Sequence, residues 1–194
     1  MEWEVKILES IQHWHHPFWD EFFKFSNWVG RGERIAIFII IGVWRHLANR
    51  ERAWAIFWPI TGVSILIFIK GLKKLFGRER PDLWEHIIHI DPGSMPSGHA
   101  VAASLFLPLL AIYWSRKQPQ WKIPLWVATG LGIIWIDLGR LYLGVHYPTD
   151  IMAGFAMGAM ITTALYFMIL KKPSFAVMTK PERLSGLSQK SSAE

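Results

Sequence analysis

The chain has 194 residues, of which 52% are hydrophobic, with 12 Trp, 12 Phe, no Cys and a formal net charge of +6. That length is one domain, and the lack of cysteine excludes disulfides and thiolate metal sites while leaving the redox compartment open. A mean hydropathy of +0.22 and the aromatic excess point to a membrane and its interfaces rather than to a soluble protein. With no soluble basic face to carry the charge, nucleic acid is not an expected partner, and basic loops with an anionic substrate account for it instead.

Residues 1–30 read as amphipathic. Trp3, Ile7, Ile11, Trp14 and Phe18 recur at steps of three or four, which makes one helical stripe. Pro17 interrupts it, and a second short helix carries Phe22, Phe23, Phe25 and Trp28. Neither is long and apolar enough to span, so both are expected to lie in the interface with their aromatics toward lipid. Packing against the rest of the protein is the alternative. His13, His15 and His16 are expected to be solvated rather than metal-binding, because no second ligand set stands at a recognised spacing. The opening residues lack a basic region followed by an apolar core, so no cleavable signal peptide is expected.

The membrane-embedded domain is expected over 31–172. Its first span, 33–47, has an apolar part (35–44) so short that it crosses only if Arg34 and Arg45 extend their charges to the two surfaces. The second span is 53–76, with Lys70, Lys73 and Lys74 crowding its last turns. After the longest polar connection, 77–95, come spans at 97–114, 124–143 and 150–170, and Lys171, Lys172 and Pro173 stop the last. The tail, 173–194, is polar and expected to be disordered. The expected fold class is therefore all-α, an integral membrane helical bundle of about five spans with N-terminal interfacial helices.

Five spans put the loops 77–95 and 144–149 on one side. Arg45, Arg50, Arg52, Arg116, Lys117, Lys122, Lys171 and Lys172 fall on the other, which the positive-inside rule makes cytoplasmic. The first side also carries Lys and Arg, beside the residues that bear the chemistry.

Three stretches bear it. In Lys73-Lys-Leu-Phe-Gly-Arg-Glu-Arg80-Pro81, seven residues are almost two turns, so Lys73 and Arg80 share a face if the helix persists past Gly77. Alone, such basic residues are equally topology signals or head-group contacts. In Pro96-Ser97-Gly98-His99 a span begins, and a helix N-terminus with a close-approach glycine is an anion site. Alone, it is also an ordinary serine cap with a bystander histidine. In Arg140-Leu-Tyr-Leu-Gly-Val-His146-Tyr-Pro-Thr-Asp150, a carboxylate one turn from an imidazole selects its tautomer and raises its basicity. Arginine suits a phosphate or carboxylate. Alone, this stretch also reads as a structural His–Asp pair closing a turn. Together the three place cations, a helix N-terminus and two histidines at one membrane face, which suits phosphoryl transfer without a metal.

These motifs, in this order, resemble the type 2 phosphatidic acid phosphatase family, which also contains the vanadium haloperoxidases. The family pattern is Lys-x6-Arg-Pro, then Pro-Ser-Gly-His, then Ser-Arg-x5-His-x3-Asp, and the match covers roughly residues 60–170. Gly139 stands where the family usually has Ser, and is given no ligand role. Bacterial members also commonly carry one span more. The resemblance implies His146 as the nucleophile, Asp150 as its orienting partner, and His99 as general acid and then base. It implies Lys73, Arg80, Ser97, the Gly98 backbone and Arg140 as holders of the phosphoryl oxygens, with no metal and no cofactor. The implied substrate is a phosphate or diphosphate monoester of a lipid: lipid A 1-phosphate, undecaprenyl diphosphate, phosphatidylglycerophosphate or phosphatidate. Membrane lipids are the other expected partner, with no obligate protein partner. The alternatives are a lipid-phosphate binding or transport protein without turnover, and a vanadate-dependent haloperoxidase. Arg31, Arg34, Lys74 and Arg78 are expected to rim the mouth and favour a large anionic head group.

Overall fold

The computed structural model describes residues 2–88 and 92–171. The tail expected to be disordered, 173–194, lies outside the described residues. Among those residues every regular element is helical: α1 (Glu2–Gln12), α2 (Pro17–Val29), α3 (Gly32–Ala48), α4 (Arg52–Phe76), α5 (Gly98–Lys117), α6 (Lys122–Tyr142) and α7 (Pro148–Leu165). A short 3-10 turn (Pro119–Trp121) precedes α6, and a π turn (Tyr166–Leu170) ends α7.

Local chemistry sets the ends of these helices. Pro17 opens α2, where its missing N–H costs nothing, and the His16 Nδ1 accepts the Phe18 N–H at 3.2 Å. Gly77 ends α4 in the left-handed conformation, at φ 57°. The Ser97 Oγ caps α5. Pro148 opens α7, and the Asp150 carboxylate accepts the Tyr147 N–H at 2.9 Å.

Four helical stretches are long and apolar enough to cross a membrane: Arg52–Phe76, Gly98–Lys117, Pro119–Tyr142 and Pro148–Leu170. The expected first span is α3, whose 17 residues reach about 26 Å at 1.5 Å per residue, against a hydrocarbon core of about 30 Å. Ile37, Phe38, Ile40, Ile41 and Trp44 on it are exposed, as a lipid-facing helix requires.

The centre of the bundle is α5. From Ala100 to Leu105 every side chain is buried, and a helix buried all round is a core helix. It packs most closely on α7, where Gly154 and Gly158 let the backbones approach. A Cβ on Gly154 would lie 2.7 Å from the Ser97 carbonyl oxygen, and one on Gly158 would lie 2.6 Å from that of Val101. On the opposite flank Trp54, Phe57, Trp58 and Ile65 of α4 meet Val101, Leu105 and Leu109. At the far end, Glu51 accepts from Lys117 (2.5 Å) and Tyr113 (3.2 Å) and pairs with His46 (2.8 Å). This cluster fastens the α3–α4 turn to the end of α5.

The N-terminal helices pack one face against the bundle and leave the other exposed. Trp3, Trp14, Phe18, Trp19, Phe25 and Trp28 point outward, while Glu4, Leu8 and Ser26 are buried against the bundle. His13 and His16 are exposed, as a solvated cluster requires, while His15 is half-buried. The His15 ring stacks on Tyr142 at 4.4 Å and pairs with Asp20 at 3.1 Å. His16 caps α2, and His13 bonds the Glu9 carbonyl at 2.9 Å.

Gly158→Val is expected to destabilise the bundle by about 1–3 kcal/mol, because the added atoms have no room against α5. The measurement is the thermal midpoint in detergent, with Met160→Val as a control on the exposed face of the same helix.

Candidate active site

The loop 143–147, between α6 and α7, carries His146. Gly144 turns it at φ 66°, and a Cβ there would meet the Trp84 ring at 2.6 Å, so the position needs glycine on both counts. Arg140 projects from the last turn of α6, and Asp150 stands in the first turn of α7.

Asp150 is fully buried. Its Oδ2 accepts from the Ser94 hydroxyl at 2.5 Å and the Tyr147 N–H at 2.9 Å, and its Oδ1 accepts from the Arg78 Nη1 at 2.7 Å. The His146 Nδ1 lies 3.5 Å from Oδ2 and 3.4 Å from the Ser94 Oγ. Since the Ser94 hydrogen goes to Asp150, its oxygen receives the Nδ1–H, so the proton of His146 sits on Nδ1. The opposite nitrogen, Nε2, accepts from the Arg80 Nη1 at 3.1 Å. Burial pushes the His146 imidazole down to about 3, with Asp150 opposing and Arg80 and Arg140 adding to the shift. His146 is therefore neutral at physiological pH, with its lone pair on Nε2 turned toward Arg80.

His146, His99, Gly98, Arg80 and Lys73 line one cavity of about 1040 Å³. Lys73 is held by the Gly93 carbonyl at 2.9 Å, and Arg80 by that of Val145 at 2.7 Å. The cavity continues between α3, α4 and α5 along Ile35, Ile39, Pro59, Leu66 and Phe106. Ser97 is buried beneath it. Its hydroxyl caps the helix, and its N–H bonds the Asp150 carbonyl at 3.0 Å, tying the first turns of α5 and α7 together. Arg140 is buried against α2. The structure thus gathers all eight residues singled out by sequence at one end of the bundle, five on the cavity wall and three supporting it.

It also adds residues that the sequence did not mark. Ser94 joins Asp150 to His146 without belonging to a motif. Arg78 does not stand free at the mouth. Its guanidinium binds Asp150, the Thr149 Oγ1 (2.6 Å) and the Glu4 Oε2 (2.8 Å), and lies 4.2 Å from the Tyr147 ring centroid. Glu4 also accepts from the Thr149 hydroxyl at 2.5 Å. Burial pushes the Glu4 carboxyl up, but these hydrogen bonds outweigh it and hold it below its ordinary value. The only local signal for Glu4 was a charge near the apolar stripe of α1. Gly139 has a physical reason as well: a Cβ there would overlap the Ser26 Oγ of α2. The missing hydroxyl is space for a helix rather than a lost ligand.

The sequence model of the PAP2 superfamily matches residues 52–174. A phosphatidylglycerophosphatase B from Bacillus subtilis is 31% identical over 103 residues, covering 52% of this chain and 48% of that protein. A lipid A 1-phosphatase from Rhizobium johnstonii is 32% identical over 107 residues, covering 50% and 41%. The chain thus spans about half the length of these relatives or less. The crystal structure of a transmembrane PAP2-type phosphatidylglycerolphosphate phosphatase from Bacillus subtilis superposes with a TM-score of 0.79 at 22% identity, over 86% of this chain and 84% of that one. The last comparison concerns the fold alone.

Arg78→Met would leave Glu4 and Asp150 as two buried carboxylates without their shared cation. A loss of about 3 kcal/mol is expected, with part of it recovered when Glu4→Gln is added. Unfolding of the single and double variants in mixed detergent checks this, and a double variant no better than the single would show that Glu4 and Arg78 are not coupled.

Proposed function

The chain belongs to the PAP2 superfamily, and from that premise we propose that it is a membrane lipid phosphatase, hydrolysing a phosphate or diphosphate monoester of a lipid through a phosphohistidine. The observation that carries this reading is the single cavity in which the neutral His146, His99 and two cations meet a long apolar extension. Phosphate chemistry needs the first part, and a lipid chain fits the second.

In the first step the His146 Nε2 attacks phosphorus. A P–N bond forms as the P–O bond to the lipid breaks, and His99 protonates the departing oxygen. In the second step water attacks phosphorus, His99 takes its proton, the P–N bond breaks and orthophosphate leaves. Lys73, Arg80, Arg140, Ser97 and the Gly98 N–H hold the phosphoryl oxygens as charge redistributes. Asp150, through Ser94, keeps the proton of His146 on Nδ1. The working unit is proposed as 31–172, with 1–30 lying at the interface.

The names of the relatives suggest the substrate class: phosphatidylglycerophosphate or a lipid A phosphate. With Arg78 engaged inside, the case for a large head group rests on Arg31, Arg34 and Lys74 alone. Phosphate release by the purified protein in detergent, from a panel of lipid phosphates and diphosphates, tests the activity. Release is expected to persist in EDTA, because protein cations supply the charge. A protein that only binds lipid phosphate would retain the panel and release nothing.

Acid-quenched trapping of labelled phosphate separates the histidines. His146→Ala is expected to abolish both trapping and turnover, whereas His99→Ala blocks turnover and retains some trapped label, most with a leaving group that needs no proton. Asp150→Asn is expected to slow turnover by roughly two to four orders of magnitude. Label trapped in His146→Ala but absent in His99→Ala would reverse the two roles.

The site is proposed to face outward from the cytoplasmic membrane, since the opposite end carries Arg50, Arg52, Arg116, Lys117 and Lys171. A reporter fused after Leu170 is expected to behave as cytoplasmic, and an external signal there would invert the topology.

A further inference from the structure

Arg140 is 2% exposed, and its guanidinium is used unevenly. The Nη1 donates to the Asn27 Oδ1 at 2.9 Å, while Nε and Nη2 are buried with no hydrogen-bond partner among the described residues. Nε–H and the nearer Nη2–H form the parallel edge of the guanidinium, the pair that binds two oxygens of one phosphoryl group. A buried donor without a partner is costly, and this guanidinium lies within electrostatic range of His99 and Arg80 on the cavity wall. The fixing contact comes from α2, which lies outside the residues 52–174 matched by the family model.

The same residue holds the second reactive side chain. The main-chain carbonyl of Asn27 accepts from the His99 Nε2 at 3.3 Å. Three residues on, a Cβ on Gly30 would overlap the His99 ring. Gly139 gives α2 the room to come this close to α6.

We propose that Asn27 is a positioning residue of the phosphoryl site: its side-chain amide pins one terminal nitrogen of Arg140 so that the remaining Nε–Nη2 edge presents two parallel N–H groups to the phosphate. The helix α2 thereby becomes one wall of the catalytic centre, with an outer face of Phe18, Trp19, Phe25 and Trp28 left for the interface. The inference rests on the reading of Arg140 as a holder of the phosphoryl group, and its test separates the two.

The probe is inorganic phosphate as a competitive inhibitor of the purified full chain in detergent. The design is a double-mutant cycle with Asn27→Ala and Arg140→Lys, since lysine has no planar fork to orient. Asn27→Ala is expected to weaken phosphate binding about tenfold or more, the scale of one hydrogen bond to a charged group. In the Arg140→Lys background the same change is expected to weaken it less than about twofold. A merely structural Asn27 would cost the same factor in both backgrounds, and that result overturns the proposal, as does no loss in the wild-type background. If Arg140→Lys alone leaves phosphate affinity unchanged, Arg140 does not hold the phosphoryl group, and both readings of it fail. Thermal midpoints without phosphate monitor folding. Should Asn27→Ala not fold, Asn27→Gln keeps a neutral amide acceptor for Nη1 and is expected to stay within about threefold of wild type in phosphate affinity. A tenfold loss in that variant at an unchanged midpoint overturns the proposal.

Discussion

A carboxylate sealed from solvent governs this molecule. Asp150 is fully buried, and a buried charge persists only when it is paired and hydrogen-bonded. Meeting that requirement draws in parts distant in sequence, Arg78 from beyond the end of α4 and Ser94 from the long connection, and adds the local Tyr147 amide at the start of α7. Arg78 in turn brings Glu4 from α1. One electrostatic demand thereby holds four segments in register, and His146 takes its orientation from the result. The imidazole is neutral because it is buried and near two guanidiniums, and its tautomer is set because the Ser94 hydroxyl is already committed to Asp150.

The bundle supplies the rigidity that this arrangement needs. Close approach of α5 and α7 at Gly154 and Gly158 places the cap of one helix against the first turn of the other, so the Ser97 N–H reaches the Asp150 carbonyl. The first turn of α5 and the His146–Asp150 pair are therefore positioned by one interface. The polar cluster around Glu51 closes the opposite end. Between these two fastened ends, α3 and α4 flank the apolar part of the cavity, where exposed Ile and Phe side chains suit lipid on the outside and a lipid chain within.

The amphipathic helices unite two functions that their pattern keeps apart. Their aromatic faces are outward, as the interface favours. Their inner faces carry the few polar groups that touch the site: Glu4 beneath Asp150, and Asn27 beside Arg140 and His99. A segment outside the family's matched region thus contacts Arg140 and His99, and Gly139 is the concession that lets it approach.

Much of this was legible in the sequence, because the relevant physics is local or periodic. Long apolar runs bounded by Lys and Arg mark spans, since backbone in lipid must satisfy its own hydrogen bonds. The spacings of Lys73 to Arg80, Ser97 to His99, and Arg140 to His146 to Asp150 are each short and lie at helix ends and the loops beside them, so their joint appearance pointed to a shared face before any packing was known. Ser94, Arg78, Glu4 and Asn27 were not legible in the same way. Arg78 reads as one more surface cation until its partner, Asp150, is seen on another helix, and Asn27 reads as one polar residue in an aromatic stripe until α2 folds back on Gly139. Sequence determined which motif residues gather at one end of the bundle and which segments form long apolar helices. Tertiary structure alone decided which side chains satisfy the buried Asp150 and which one contacts Arg140, because those contacts join residues 56 to 113 positions apart, whose pairing no local propensity or spacing encodes.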